Sequence, residues 1–164
     1  MTKLNVSAQP KPGKTSGFSL IELMVVVAII GFVTMLAYPS YQGFITGSNR
    51  SVAQADLMSF AAAMERHKAA NFTYEGAATG GNDTGAPTVF HAHSPSQEPA
   101  IYKKYDLVIE SVGANGNTHR LRARPVTTSS QAGDGDLFIY SDGRKAWDKD
   151  NSGALSADEF CWKC

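Results

Sequence analysis

The chain has 164 residues, with 15 lysines and arginines against 15 aspartates and glutamates, and two cysteines. That length is enough for one small domain plus a long helix. A net charge of zero leaves nucleic acid not indicated as a partner, and no nucleophile–base pair, phosphate loop or zinc motif points to an enzyme. Residues 1–17 are polar and carry Lys3, Lys11 and Lys14 among Pro10, Pro12 and Gly13, and no acidic residue precedes Glu22. A basic flank ahead of an apolar run is retained on the cytoplasmic side of a membrane, so the C-terminal part is expected to cross.

The apolar run extends from Phe18 to Tyr38 and contains a single carboxylate, Glu22. As a helix it is roughly 30 Å long, the thickness of a bilayer core. A carboxylate in such a run is costly and marks function. An ordinary signal peptide is cut after its apolar region, and no small-residue site of that kind stands out after Tyr38. Gly31 and Pro39 are breakers, and Pro39 removes one backbone hydrogen bond, so a kink or local melting is expected there.

Gly17, Phe18, the apolar run, Glu22, Gly31 and Pro39 together resemble the N-terminal signature of type IV prepilins, the precursors of pilus subunits. Ser48-Asn49-Arg50 and Cys161-Trp162 are a closer echo of PilE-type minor pilins. The resemblance implies that a prepilin peptidase cuts between Gly17 and Phe18 and methylates the new amino terminus. Residues 1–17 are then a leader, 18–39 the membrane and assembly half of helix one, and 40–164 a periplasmic or extracellular globular domain. Glu22, Gly31 and Pro39 become assembly residues, the helix loosening near Pro39 as subunits pack. The implied partners are other pilin subunits, the peptidase and the inner-membrane assembly machinery. The implied location is the bacterial inner membrane and then the surface pilus, in twitching motility, adhesion or DNA uptake. A pseudopilin of a type II secretion system shares the N-terminal signature and is the alternative.

From Ser40 the helix is expected to continue as an amphipathic one and to stop near Asn71. Ala53, Leu57, Phe60, Ala61 and Met64 form its apolar stripe, and Gln54, Asp56, Glu65, Arg66 and Lys68 its wet face. Residues 71–104, rich in glycine and proline, read as a long loop, functional or mobile. His91-Ala92-His93 within it, with no acidic or thiolate cluster nearby, reads as solvated rather than metal-binding. Strands are expected at Tyr105–Glu110, His119–Arg124, Leu137–Tyr140 and from Lys145, with a turn at Gly113–Asn117 and a hairpin turn at Ser141–Arg144. Leu121 and Ala123 point inward, and Arg120, Arg122 and Arg124 share a solvated face. The fold class is therefore α+β: one long helix on a small antiparallel sheet of about four strands.

Asp148 to Glu159 matches the twelve-residue calcium loop of EF-hand proteins position by position. Asp148, Asp150 and Ser152 fill the first, third and fifth places, and Gly153 the turning sixth. Ala154 offers a carbonyl at the seventh, Ser156 stands at the ninth, and Glu159 is the bidentate twelfth. A strand precedes the loop and only five residues follow, so the second helix of an EF-hand has no room. This makes calcium a structural clip rather than a sensor's ligand. Cys161 and Cys164 have the spacing of a redox pair but no βαβ context, so a structural disulfide is the expectation and a membrane-tethered thiol oxidoreductase the alternative. So small a ring constrains little of the unfolded chain, which leaves calcium to pin the C-terminal region.

Overall fold

The computed structural model of the protein describes residues 17–163. It divides at residues 40 and 41 into two compact units, and helix α1 (Leu20–Asn71) has residues in both. In the first unit α1 carries apolar side chains on every side, and all of them are exposed in the isolated chain. Among the described residues α1 is the one helix long and apolar enough to cross a membrane. A helix apolar all round needs lipid or other helices as its surroundings. Its backbone stays helical through Pro39, so the local melting expected at that residue is not a feature of the isolated subunit.

The second unit packs the amphipathic part of α1 on a five-stranded antiparallel sheet. The strands are β1 (His93–Ser94), β2 (Tyr105–Val112), β3 (His119–Pro125), β4 (Leu137–Tyr140) and β5 (Lys145–Trp147), and they neighbour one another in chain order. Alternation along β3 puts His119, Leu121 and Ala123 toward the helix and leaves Arg120, Arg122 and Arg124 on the other face. Leu57, Phe60 and Met64 of α1 are fully buried against Tyr105, Leu107, Ile109, Leu121 and Leu137. Ala63 joins that stripe, and Ala61 is only partly buried. The ladder between β2 and β3 slips between Ile109 and Ser111, a bulge at Glu110.

The fold class is the one expected, with two refinements. The sheet has five strands rather than about four, and the extra one, β1, lies in the stretch expected to be loop. That stretch is stitched down rather than mobile: Gly85 and Ile109 exchange backbone hydrogen bonds of 2.9 Å, and Leu107 donates to the Ala92 carbonyl. The side chain responsible for β1 is Asp56, assigned above to the wet face of the helix. Its carboxylate accepts from the Ser94 hydroxyl (2.6 Å), the Ser96 hydroxyl (2.7 Å) and the Ser96 amide (3.0 Å). A charged acceptor with three local donors outweighs the solvation it gives up.

Candidate functional site

The N-terminal motif closes on itself. Glu22 accepts a hydrogen bond from the Ser19 amide at 2.9 Å, and the Leu23 amide donates to the Ser19 carbonyl. Ser19-x-x-Glu22 is thus half of a capping box, a pattern legible in the sequence beside the apolar run. In the isolated chain the carboxylate satisfies a first-turn donor and sits at the positive end of the helix dipole. Gly17 and Phe18 lie just outside the helix, exposed.

The loop after β5 is built around two buried carboxylates. Asp148 is 2% exposed and Glu159 4%. Asp148 accepts from the amides of Ser152 and Gly153, both at 2.9 Å. Glu159 accepts from Lys149 (2.7 Å) with one oxygen and from the amide and hydroxyl of Ser156 (2.9 and 2.8 Å) with the other. That last pair makes Ser156 and Glu159 a capping box on the 3-10 turn Ala157–Glu159. Gly153 takes φ +80°, the left-handed turn that its place requires, and Asn151 adopts φ +54° beside it.

The fold brings carboxylate oxygens of Asp148, Asp150 and Glu159 within 4.8 Å of one another, and among the described residues this is the one group of three side chains so placed. The Ser152 hydroxyl instead donates to the Ala154 carbonyl at 3.0 Å, and Ser156 is held by Glu159. Three of the six expected ligands therefore converge, and the other three bond within the loop. The Ser156 amide and then its hydroxyl hold Glu159 below the usual carboxylate range, and the Ser152 hydroxyl and amide do the same for Asp150. Both are anionic at neutral pH, and three close carboxylates with hard oxygens are a donor set that fits calcium. Cys161 follows this loop. Cys164 lies outside the described residues, and the pairing expected between them lies there with it.

Beside the loop, the β4–β5 hairpin and the C-terminal segment alternate cations with rings. The Arg144 guanidinium lies 4.7 Å from the centre of the Tyr140 ring and 5.9 Å from that of Phe160. The Lys145 ammonium lies 4.7 Å from the Trp162 ring, and Arg120 lies 5.8 Å from Phe138. The trio of arginines on β3 is less free than its alternation implied. Glu110 pairs with Arg122 at 3.1 Å and with Arg120 at 3.3 Å, and Asp136 sits 3.6 Å from Arg122. His91 and His93 place their rings 5.9 Å apart, with the ring of His93 bonded to the Glu98 carbonyl.

Sequence reasoning missed a buried polar network under the helix. Arg50 grips Asp134 with two donors, and the Tyr105 hydroxyl donates to the same carboxylate. Gln131 bonds Tyr105, the Thr46 carbonyl and Asn49. Trp147 donates to the Asp134 carbonyl at 2.6 Å while Arg50 lies 3.7 Å over its ring. Asn49-Arg50 was the signal, visible only as a family echo.

Residues 39–136 match the family described as "Type IV minor pilin ComP, DNA uptake sequence receptor". The chain belongs to this type IV minor pilin family. Residues 13–38 match the prokaryotic N-terminal methylation motif, a span that contains Gly17, Phe18 and Glu22. Pilins of this kind are structural subunits, not enzymes. The chain is 41% identical over 59 residues to the type II secretion system core protein G of Pseudomonas aeruginosa, covering 36% of this chain and 42% of that protein. It is 46% identical over 41 residues to the type IV major alpha-pilin of Moraxella bovis, covering 25% and 26%. It is 45% identical over 49 residues to the type IV major fimbrial protein FimA of Dichelobacter nodosus, covering 30% and 31%. The chain thus spans less than half the length of these relatives. No solved structure matches it.

Proposed function

We propose that this minor pilin is a subunit of a type IV pilus whose globular unit contacts DNA for uptake. The observation that carries the DNA reading is the strip of cations over aromatic rings: Arg144 over Tyr140 and Phe160, and Lys145 over Trp162. Cations neutralise phosphate and rings stack on bases, so an interleaved strip serves both parts of a nucleic acid. The description of the matched family, a DNA uptake sequence receptor, supports the same ligand. That match covers residues 39–136, most of the globular unit but ending before the strip, and it favours a pilus subunit over a secretion pseudopilin.

The subunit is held in the inner membrane by α1 and passes from there into the filament, where other pilins are its partners. The prepilin peptidase cuts between Gly17 and Phe18 and methylates Phe18; Glu22, Gly31 and Pro39 then act in assembly. In the C-terminal region, calcium is held by Asp148, Asp150 and Glu159, with Ser152, Ala154 and Ser156 supplying the neutral positions of the loop. The ion offsets the mutual repulsion of the three carboxylates and so orders the segment that carries Phe160 and Trp162. Cys161 and Cys164 close the end of the chain as a structural disulfide.

Binding of short DNA duplexes over a salt series tests the DNA reading. Arg144→Ala and Lys145→Ala are expected to weaken binding and to lower the salt slope by about one each. Unchanged affinity and slope in both would remove the strip from the interface.

A further inference from the structure

We propose that His119 is an acid-sensitive latch holding the segment after helix α1 against the β2–β3 turn. His119 opens β3 on the helix side of the sheet and is 4% exposed. Both of its ring nitrogens are buried without a hydrogen-bond partner. A neutral imidazole carries one donor and one acceptor, so this ring serves the fold by shape rather than by hydrogen bonding. It meets the face of Tyr74 edge-on, with ring centres 4.5 Å apart.

Tyr74 is the hub of the post-helix segment. Its amide donates to the Gly116 carbonyl at 2.8 Å, its hydroxyl donates to Glu65 at 2.6 Å, and Lys68 lies 4.5 Å over its ring. Lys68 also reaches the Asn117 carbonyl at 3.4 Å. The helix end, the segment from Thr73 and the β2–β3 turn are thus joined around Tyr74 by these hydrogen bonds, with the His119 ring packed against its ring.

Charged and titratable groups face that contact. Helix α1 presents Glu65 and Lys68, and the post-helix segment presents Tyr74 and Glu75. The ladder neighbour of His119 on β2 is apolar Val112; toward β4 the Ser141 amide donates to the His119 carbonyl, and Arg120, Tyr140, Asp142 and Arg144 line the same cleft. Burial holds the imidazole below its ordinary range, Glu65 acting against this and Lys68 with it. Tyr74 holds one oxygen of Glu65, and neither imidazole nitrogen reaches that carboxylate in this packing. A proton on His119 therefore creates a buried cation beside Lys68 with no partner of its own. The relief is to part the Tyr74–His119 contact and let water in. The folded pKa lies below the unfolded one, so the latch is whole above the ordinary histidine range and weakens as the pH falls through it.

Amide exchange on the full-length protein in detergent micelles tests this, read at the Tyr74 and Gly113 amides at about pH 7.5 and about pH 5. Protection at both is expected to fall by ~tenfold or more on acidification, and to stay level in His119→Phe. An equal fall in His119→Phe, or level protection in the wild type, overturns the latch. A second reading covers failure of that variant to fold: the ring-proton titration of the wild type. The loss of Tyr74 protection must follow the titration of His119 itself. A loss that follows another group overturns the proposal equally.

Discussion

Gly135 occupies a place that no other residue fits. Its φ is +80°, and a Cβ there would lie 1.7 Å from the Asp148 carbonyl oxygen. The Asp148 amide donates to the Asp136 carbonyl at 2.9 Å, so this close approach sets where the acidic loop begins. Gly135→Ala is expected to lower stability by about 2–4 kcal/mol in a denaturant titration, because both the backbone conformation and the contact must give. Arg50→Ala leaves Asp134, with its carboxylate nearly inaccessible, without its guanidinium, and the expected loss is about 3 kcal/mol or more. Asp136 behaves in the opposite sense to these. Burial pushes its carboxyl up to about 6; Arg124 opposes the rise, while Asp148 and Glu110 add to it. A raised folded pKa favours the protonated form, so its contribution is present at acid pH and is lost as the pH rises through about 6. Asp136→Asn is therefore expected to raise the melting midpoint relative to wild type more at alkaline than at mildly acid pH. An equal shift at both would place the effect in packing rather than charge.

At the scale of elements, the parts legible in the sequence are those with a strong period or strong punctuation. The 3.6-residue stripe from Ala53 to Met64 and the alternation of Tyr105–Glu110 and His119–Arg124 survive because one face of each meets the core. β1 was illegible because two residues have no period; Asp56, a helix aspartate within the span of the stripe, selects them. The polar network of Arg50, Tyr105, Gln131 and Asp134 was illegible because its members are separated by more than 80 residues in places, and no local spacing encodes it. The acidic loop was the reverse case: twelve positions named its turn residue and its three converging carboxylates, while Ser152, Ala154 and Ser156 bond within the loop. Calcium is expected to raise the melting midpoint, and Glu159→Ala to remove most of the increase. A ligand at a hundredfold excess over Kd adds about 2.7 kcal/mol to stability. Without the ion, Glu159 and Asp150 remain groups with lowered folded pKa values. Their contribution is present above the ordinary carboxylate range and is lost as acid reaches the folded values. Equal midpoints with millimolar calcium and with chelator would leave the loop held by its backbone amides alone.

On the scale of the whole molecule, the two units face different solvents and solve different problems. The second unit buries its own apolar stripe and is complete as a fold. The first has an all-round apolar surface and leaves Ile21, Val25, Ile29 and Phe32 among the exposed side chains, so lipid or neighbouring subunits must supply the surroundings. Glu22 is where that exchange of surroundings has a chemical handle. Among the described residues the Ser19 amide is the one donor to its carboxylate, a weak claim on a charged group. On the processing proposed above, the methylated amine of Phe18 on an adjacent subunit would offer a full positive charge in a filament of packed helices, and in low dielectric that pair would outweigh a single amide. Glu22→Ala removes the partner without touching the core of the second unit. It is expected to leave processing between Gly17 and Phe18, membrane insertion and the melting of the globular unit unchanged, and to deplete the subunit from sheared fibres. Glu22→Gln separates the two roles of the side chain: it keeps an acceptor for the Ser19 amide but has no charge for the amine. If charge pairing governs assembly, Glu22→Gln is depleted from fibres as severely as Glu22→Ala. If the capping bond is what matters, Glu22→Gln is incorporated normally, and quantitative immunoblotting of the fibre fraction distinguishes the two.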